Sequence, residues 1–423
     1  MSINRSLYIG LSGMNANTQA LNVVGDNIAN MNTVGYKSGK SVFQEMLGQS
    51  MMGTAGTSMV GSGVSIATIS KNFNQGSLLG TGGEWDMAIG GDGFFALSGT
   101  VDGQEGTYYS RAGQFYKGPE GHLLNPMGLK LMGYPANSAG DIGSNLTELM
   151  VDDSPIPPTP TSTASLQVNL DSTVEADATP FDPTKPGETS DYQSSMSVYD
   201  ATGASYQIDV YYKKTGNGQW EYHVLTDGSN VEGGTAGENA VLTPASNTLT
   251  FDDAGVLTTN PASFTLDFTP VGAAAAQQIN VDLAGSSQWA EESVLKDLDV
   301  NGSQSGTFQY VNIDKNGTII GTFSNGEERT LGQVALARFK SNAGLTPMDG
   351  GIYDESSKSG NVIIGKPNSG GRGALMAGNL EQSNVDLATE FANMIIAQRG
   401  YQANSRSITT ADQVIQDALQ LKR

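Results

Sequence analysis

The chain has 423 residues, no cysteine and only two histidines. Disulfide frameworks and thiolate metal sites are therefore excluded, and imidazole chemistry has little material. Basic residues are also scarce, 22 Lys plus Arg against 43 Asp plus Glu. A net charge of −21 argues against nucleic acid, which needs a clustered basic surface, and against an anionic membrane face. No run of eighteen apolar residues offers a membrane span. The start, MSINRSLYIGLSGMNANTQ, lacks the continuous apolar core and small-residue cleavage site of an ordinary secretory signal.

Each candidate for chemistry has a plain structural explanation. His122 and His223 fall in different expected domains, in strand-like contexts. Asn312, Asp314, Asn316 and Gly317 mimic the opening of a calcium loop, but the twelfth position is Phe323, so the stretch reads as a hairpin turn. Gly61, Gly63 and Gly80 to Gly83 are followed by no Gly-Lys-Ser/Thr and cannot form a phosphate loop. Asn145-Leu-Thr, Asn301-Gly-Ser and Asn316-Gly-Thr match the glycosylation pattern, which is common by chance. No catalytic, cofactor-binding or metal-binding residue is expected, and the chain does not read as an enzyme.

What the sequence does contain is organised at its two ends. Counting in sevens from Leu387 gives Met394, Tyr401, Ile408 and Ile415, while the positions three further on are Glu390, Ala397, Asn404, Ala411 and Ala418. A large apolar face thus runs beside a seam of mostly small side chains, with Gly400 as the only glycine from 380 onward. Leu7, Met14, Leu21 and Ile28 repeat the same period near the start, with Leu11 and Val24 widening the stripe. Sevenfold repeats of this kind mark helices that lie along other helices. The two ends are expected to pair as a coiled coil, and two helices alone leave much of each stripe uncovered. Such stripes mark contacts with other molecules, or else an ordinary intramolecular helical hairpin.

Between the ends the pattern is β. The 54 glycines and low charge fit turn-rich strands. Residues 48–63, GQSMMGTAGTSMVGSG, read as a flexible segment whose methionines could adapt to a partner. From Val64 short alternating runs begin, punctuated by Gly-Gly, Asp-Gly and Glu-Gly turns. Pro155, Pro157, Pro158 and Pro160 then mark a linker. From Met150 to Gly285 there are three lysines, no arginine and eighteen carboxylates, a local balance near −15. The expected fold is mainly β with terminal α-helices, in a discontinuous multidomain chain. Residues 1–30 and 381–423 form the helical coiled-coil domain, and 31–63 and 341–380 connect it. An inner β-domain spans 64–150 and 286–340, with an acidic outer barrel or sandwich, 151–285, inserted into it.

Residues 6–47 resemble the amino-terminal segment of bacterial flagellar rod and hook proteins, most specifically through DNIAN at Asp26 to Asn30 and NTVGYK at Asn32 to Lys37. YSRAGQF at Tyr109 to Phe115 and LMGY at Leu131 to Tyr134 resemble the same family, as do GNLEQSNVDLATEFANMI and QRGYQANSR in the closing helix. The YDATG motif and the strands after it resemble the outer domain of the family's hook members in particular. The resemblance implies a structural subunit that forms a homo-polymer through its terminal helices, a curved tube acting as a universal joint that transmits torque from rod to filament. On that reading Leu7, Met14, Leu21, Ile28, Leu387, Met394, Tyr401, Ile408 and Ile415 are the assembly residues. Implied partners are a hook cap protein, a distal rod protein, a hook-filament junction protein and the flagellar type III export apparatus. The implied location is extracellular, in the flagellum, reached without a cleaved signal peptide. Two other readings are a distal rod subunit, normally shorter, and a secreted β-rich adhesin or binding module, which would leave the terminal heptads idle.

Overall fold

A computed structural model describes residues 3–53, 56–244, 247–272 and 276–420. It divides into two compact units. Met1–Asp153, Tyr310–Thr322 and Glu328–Arg423 form the first, and Ser154–Gln309 with Phe323–Glu327 form the second.

The first unit carries two long helices, Ile3–Ala29 and Leu387–Gln420. Both follow uninterrupted periodic stretches without proline. Asp386 opens the second by accepting the Thr389 N–H at 2.7 Å, and that N–H holds its carboxyl below the usual carboxylate range. After the N-terminal helix comes a long antiparallel hairpin, Gly39–Gly53 with Gly56–Lys71, running in register from Gly39↔Lys71 to Gly53↔Gly56. This corrects the expectation of a flexible segment over 48–63. Its glycines, serines and methionines show no clean alternation, and the ladder itself shifts register three times. Backbone pairing needs no such alternation, so the strands were invisible to a side-chain pattern. The side chains of residues 47–60, Met51, Met52 and Met59 among them, lie outside those described, as does that of Ala418.

The body of the first unit is an antiparallel sheet in which Phe94–Val101 pairs with Gln104–Ser110 on one side and Lys130–Pro135 on the other. The returning chain closes it, since Glu328–Val334 pairs with Lys130–Pro135, from Gly332↔Pro135 to Val334↔Gly133. Leu336–Arg338 then pairs with Phe94–Val101. Phe94, Tyr109, Phe339 and Tyr353 form an aromatic core, with Tyr109 and Phe339 edge to face at 4.7 Å. Asp314 accepts the backbone N–H groups of Asn316 and Thr318 in the turn that had mimicked a calcium loop.

The second unit is a two-sheet sandwich. One sheet orders Ser263–Phe268, Gln277–Asp282, Thr163–Asp171 and Ser287–Trp289, and Val294–Val300 also pairs with Thr163–Asp171. The other orders Tyr192–Tyr199, Ser205–Gly216, Gln219–Asp227 and Asn239–Val241. The sheets do not join, so the barrel alternative falls. Alternate residues such as Met196 and Val198, Ile208 and Val210, and Tyr222 and Val224 share one buried core with Trp220. The unit runs on to Gln309, past the expected limit at 285, because Ser287–Trp289 and Val294–Val300 both need Thr163–Asp171 as their partner. The incoming proline-rich stretch lies beside the outgoing one, through bridges Ile156↔Gly306 and Thr159↔Ser303.

His223 lies flat on Phe181, with ring centroids 4.0 Å apart, and its Nε2 is 3.7 Å from Glu221. Burial lowers its pKa from the ordinary value near 6.5, overriding the attraction of Glu221. A depressed folded value means that His223 contributes stability in full above the unfolded pKa, and that this is lost as pH falls through the folded one. Thermal melts of the full chain, read at the second unit, should therefore decline on acidification from about pH 6.5 downward, before the carboxylates titrate. His223→Gln is expected to flatten that decline; an identical slope in the variant would refute the assignment.

Candidate assembly site

The terminal helices pack antiparallel along a seam built from small residues. Gly10, Gly13, Ala16, Ala20 and Val24 are buried on the N-terminal helix, and Glu390 and Ala397 on the other. Two asparagines lock the crossing reciprocally. A Cβ on Gly13 would stand 2.6 Å from the Asn404 side chain, and one on Gly400 would stand 2.6 Å from that of Asn17. Each asparagine also donates to the carbonyl of the glycine four residues before it on its own helix, Asn17 to Gly13 at 2.7 Å and Asn404 to Gly400 at 2.8 Å. Each amide is thus satisfied on its own helix and fills the gap the opposite glycine leaves. Glycine inside a helix costs about 1 kcal/mol relative to alanine, so two of them at one crossing need such a packing reason.

Of the large sevenfold residues, Ile408 packs directly on Gly10 within the seam, where a Cβ on that glycine would stand 2.8 Å from its side chain. Leu7, Met14, Leu21, Ile28, Leu387, Met394, Ile408 and Ile415 are half-buried, and Tyr401 is exposed. Further round, large apolar side chains are open to solvent: Tyr8 (70%), Ile9 and Leu11 on one helix, Phe391 (52%), Ile395, Ile396 (68%) and Val414 on the other. Leu11, expected to widen the stripe with Val24, is among the exposed residues, whereas Val24 is buried.

The foot of the N-terminal helix is fastened to the hairpin and to the chain leading into the second helix. Buried Asn27 bonds both backbone groups of Gly39, each at 2.8 Å. Below it lies a buried ionic node. Glu381 takes Lys37 Nζ at 2.6 Å on one oxygen and Arg111 at 3.3 Å on the other, and all three side chains are almost wholly excluded from solvent. Backbone groups add further bonds: Lys37 donates to the Asn74 carbonyl and Arg111 to that of Gly91, both at 2.8 Å, and the Gly76 N–H reaches Glu381 Oε1 at 2.8 Å, while Arg111 Nε is buried without a partner among the described residues. Burial pulls the pKa of both cations down, and Glu381 opposes it. The Arg111 guanidinium also lies 5.3 Å over the Phe94 ring, which ties the node to the aromatic core.

Backbone contacts around the node are equally tight. The Gly35 N–H donates to the Glu381 carbonyl at 2.7 Å, and its φ of 70° beside Ala112 leaves no room for a side chain. Asn384 accepts from Ser38 N and donates to the carbonyls of Asn72 and Asn74. NTVGYK, YSRAGQF and GNLEQSN, separated by most of the chain, thus meet at one point. Sequence reading singled out the motifs but missed their meeting; the available signal was one charged residue embedded in each of three glycine-bearing motifs.

Among the described residues no group of three or more His, Cys, Asp or Glu could hold a metal ion, and no helix is long and apolar enough to cross a membrane.

The chain matches four family descriptions: flagella basal body rod protein over residues 7–37, flagellar hook protein FlgE/F/G D1 domain over 88–176, flagellar basal body protein FlaE D2 domain over 169–303, and flagellar basal body rod FlgEFG protein C-terminal over 376–421. It is 35% identical to the flagellar hook protein FlgE of Salmonella typhimurium over 97% of this chain and 98% of that one. Identity to the flagellar hook protein FlgE of Borreliella burgdorferi is 33%, covering 99% of each. The crystal structure of Helicobacter pylori flagellar hook protein FlgE2 overlays with a TM-score of 0.49 at 16% identity, covering 70% of this chain and 98% of that one. That overlay is too shallow to carry an argument.

Glu381→Gln leaves two buried cations without a counter-charge and should destabilise the node by about 3–5 kcal/mol. Lys117→Met, which removes the partly exposed pair with Asp153, should cost less than about 1 kcal/mol. Hydrogen exchange of peptides covering residues 35–40 and 380–384 reads the difference. Equal protection in the two variants would refute the node's role.

Proposed function

The chain belongs to the bacterial flagellar hook protein family and is a structural subunit of the hook, and we infer that its paired terminal helices are the surface through which copies polymerise. The observation that carries this reading is the pair's unfinished apolar cover. The small seam satisfies one face of each helix, while Tyr8, Ile9, Leu11, Phe391, Ile395, Ile396 and Val414 remain in solvent. A stripe of that size on a soluble chain is an interaction surface. The half-buried residues Leu7, Met14, Leu21, Ile28, Leu387, Met394, Ile408 and Ile415, with exposed Tyr401, border both the partner helix and the open face, so they would be shared between the pair and a neighbour.

Contacts between unlike faces generate an open helical array rather than a closed ring, which suits a tube. A curved tube of this kind transmits torque between rod and filament, and its subunits act mechanically, without catalysis. Its ends would meet a cap, the distal rod protein and the hook-filament junction protein. The apolar helices would travel unpaired through the type III export apparatus, without cleavage, and order on assembly.

Each apolar side chain buried at an interface contributes about 1.5–3 kcal/mol. Phe391→Asp with Ile396→Asp should therefore abolish polymerisation at concentrations where the parent assembles, while leaving thermal melts of the monomer unchanged, because both residues are already exposed. Gly400→Val should instead separate the helices by overpacking, at about 1–3 kcal/mol, and lose assembly together with helical content. Electron microscopy with circular dichroism distinguishes the two. Normal tubes from the double aspartate variant would refute the proposed surface.

A further inference from the structure

Four Asn-Gly dipeptides occur in the chain: Asn217-Gly218, Asn301-Gly302, Asn316-Gly317 and Asn325-Gly326. Such pairs are the sites of spontaneous deamidation, because glycine's bare backbone nitrogen can approach the asparagine side-chain carbonyl. The folded structure treats the four very differently.

Three are tied down. The Asn301 carbonyl oxygen accepts the N–H groups of Ser162 and Thr163, both at 3.0 Å, and its amide donates to the Ser162 hydroxyl at 2.9 Å. The Asn316 amide donates to Asp314 at 3.2 Å, and the attacking nitrogen, that of Gly317, is itself engaged with the Asp314 carbonyl at 3.0 Å. Asn325 accepts from the Glu327 N–H and donates to the Gln304 carbonyl, and the Gly326 N–H is spent on the Phe323 carbonyl at 2.9 Å.

Asn217 differs at both ends of the reaction. It is exposed at the turn between strands Ser205–Gly216 and Gln219–Asp227, where Gly216 pairs with Gln219. Among the described residues neither its side-chain amide nor the Gly218 N–H has a hydrogen-bond partner, although the Gly218 carbonyl accepts from Phe251. Gly218 has a φ of 67°, a conformation that keeps a side chain from occupying the following position and shielding the site.

We propose that Asn217 is a site of spontaneous, water-dependent deamidation to aspartate and isoaspartate in the folded subunit, and that the other three Asn-Gly pairs are protected by their hydrogen bonds. The Gly218 nitrogen attacks Asn217 Cγ, the Cγ–Nδ2 bond breaks, and ammonia leaves with a proton. Water then opens the cyclic imide at either carbonyl. The net change is amide plus water to carboxylate plus ammonium, the proton released on ring opening passing to the ammonia, with no redox partner. Each event adds one negative charge to an already acidic domain. Where isoaspartate forms, it also lengthens the backbone at the turn that brings Tyr212 and Trp220, both buried, into the sandwich core.

The test is timed incubation of the full-length protein in mildly alkaline buffer, followed by peptide mapping with a fragmentation method that distinguishes isoaspartate. In the folded protein Asn217 should convert on the order of tenfold faster than each of the other three, since each of those must first break two or more hydrogen bonds. In denaturant the four rates should converge. Equal rates in the folded state, or a faster rate at Asn301, Asn316 or Asn325, would overturn the proposal. Asn217→Gln supplies a second reading, because it should remove most of the acidic charge variants that accumulate on ion exchange; persistence of those variants would also overturn it.

Discussion

Lys37, Glu381 and Arg111 form the constraint on which the first unit depends. One carboxylate near the end of the chain, excluded from water, holds two cations from its N-terminal third. Burying charges is costly, and a buried ion pair is often no more stable than the apolar residues that could replace it. Its contribution is better sought in specificity. The arrangement of residues 35–38, 74–76, 111–113 and 381–384 pairs both Glu381 oxygens, Lys37 Nζ and two of the three Arg111 nitrogens, leaving Arg111 Nε buried without a partner among the described residues, and the carbonyl acceptors are fixed by the backbone. A Cβ on Gly76 would run into the Gln382 carbonyl, and one on Gly113 into that of Met87. An apolar cluster in the same place could tolerate a slip of one residue. The node cannot, and it therefore sets the register at which both long helices leave the β body.

That register matters because the helix crossing has little apolar interdigitation of its own to define it. Alanines and glycines approach closely and slide easily. Asn17 and Asn404 restore definition, each filling the gap opposite a glycine while bonded to its own helix. The arrangement has the logic of a polar residue in a coiled-coil core, which gives up some stability for a unique alignment. By spending small residues on the internal contact, the pair keeps its large ones for elsewhere.

Much of this was legible in the sequence, and the gaps have physical causes. The helices were readable from the sevenfold repeat, and the sandwich strands from their alternation, because both signals are set by which side chains meet a core. The hairpin before Val64 was not, since a ladder held by backbone bonds leaves no periodic trace in Gly, Ser and Met, although the rest of its second strand was read as β. The parallel pairing of Thr163–Asp171 with Gln277–Asp282 and Ser287–Trp289 depends on contacts more than a hundred residues apart, beyond any local pattern, and it is why the outer unit continues to Gln309. At the helices the repeat located the interacting faces but not their division of labour. Most positions of greatest apolar size are only half-buried beside the seam, whereas Gly400, noted only as the sole glycine from 380 onward, is one of its closest contacts.

The two units differ in what they leave unsatisfied, and that difference bears on how a subunit can be both soluble and adhesive. The second unit gathers its core into one large cluster and carries most of the negative charge, so it repels its like at a distance, although Val241, Val256, Trp289 and Val294 stay exposed on it. The first unit is completed only in part, with charge sealed at its foot and apolar side chains left open along its helices. Screened repulsion falls away within about 10 Å at ordinary ionic strength, whereas apolar burial acts on contact. Copies of such a chain resist random aggregation in dilute solution, yet gain strongly once their helices are aligned. Glu381 and the two asparagines fix the alignment of the paired helices, and with it the arrangement of the exposed apolar side chains along them.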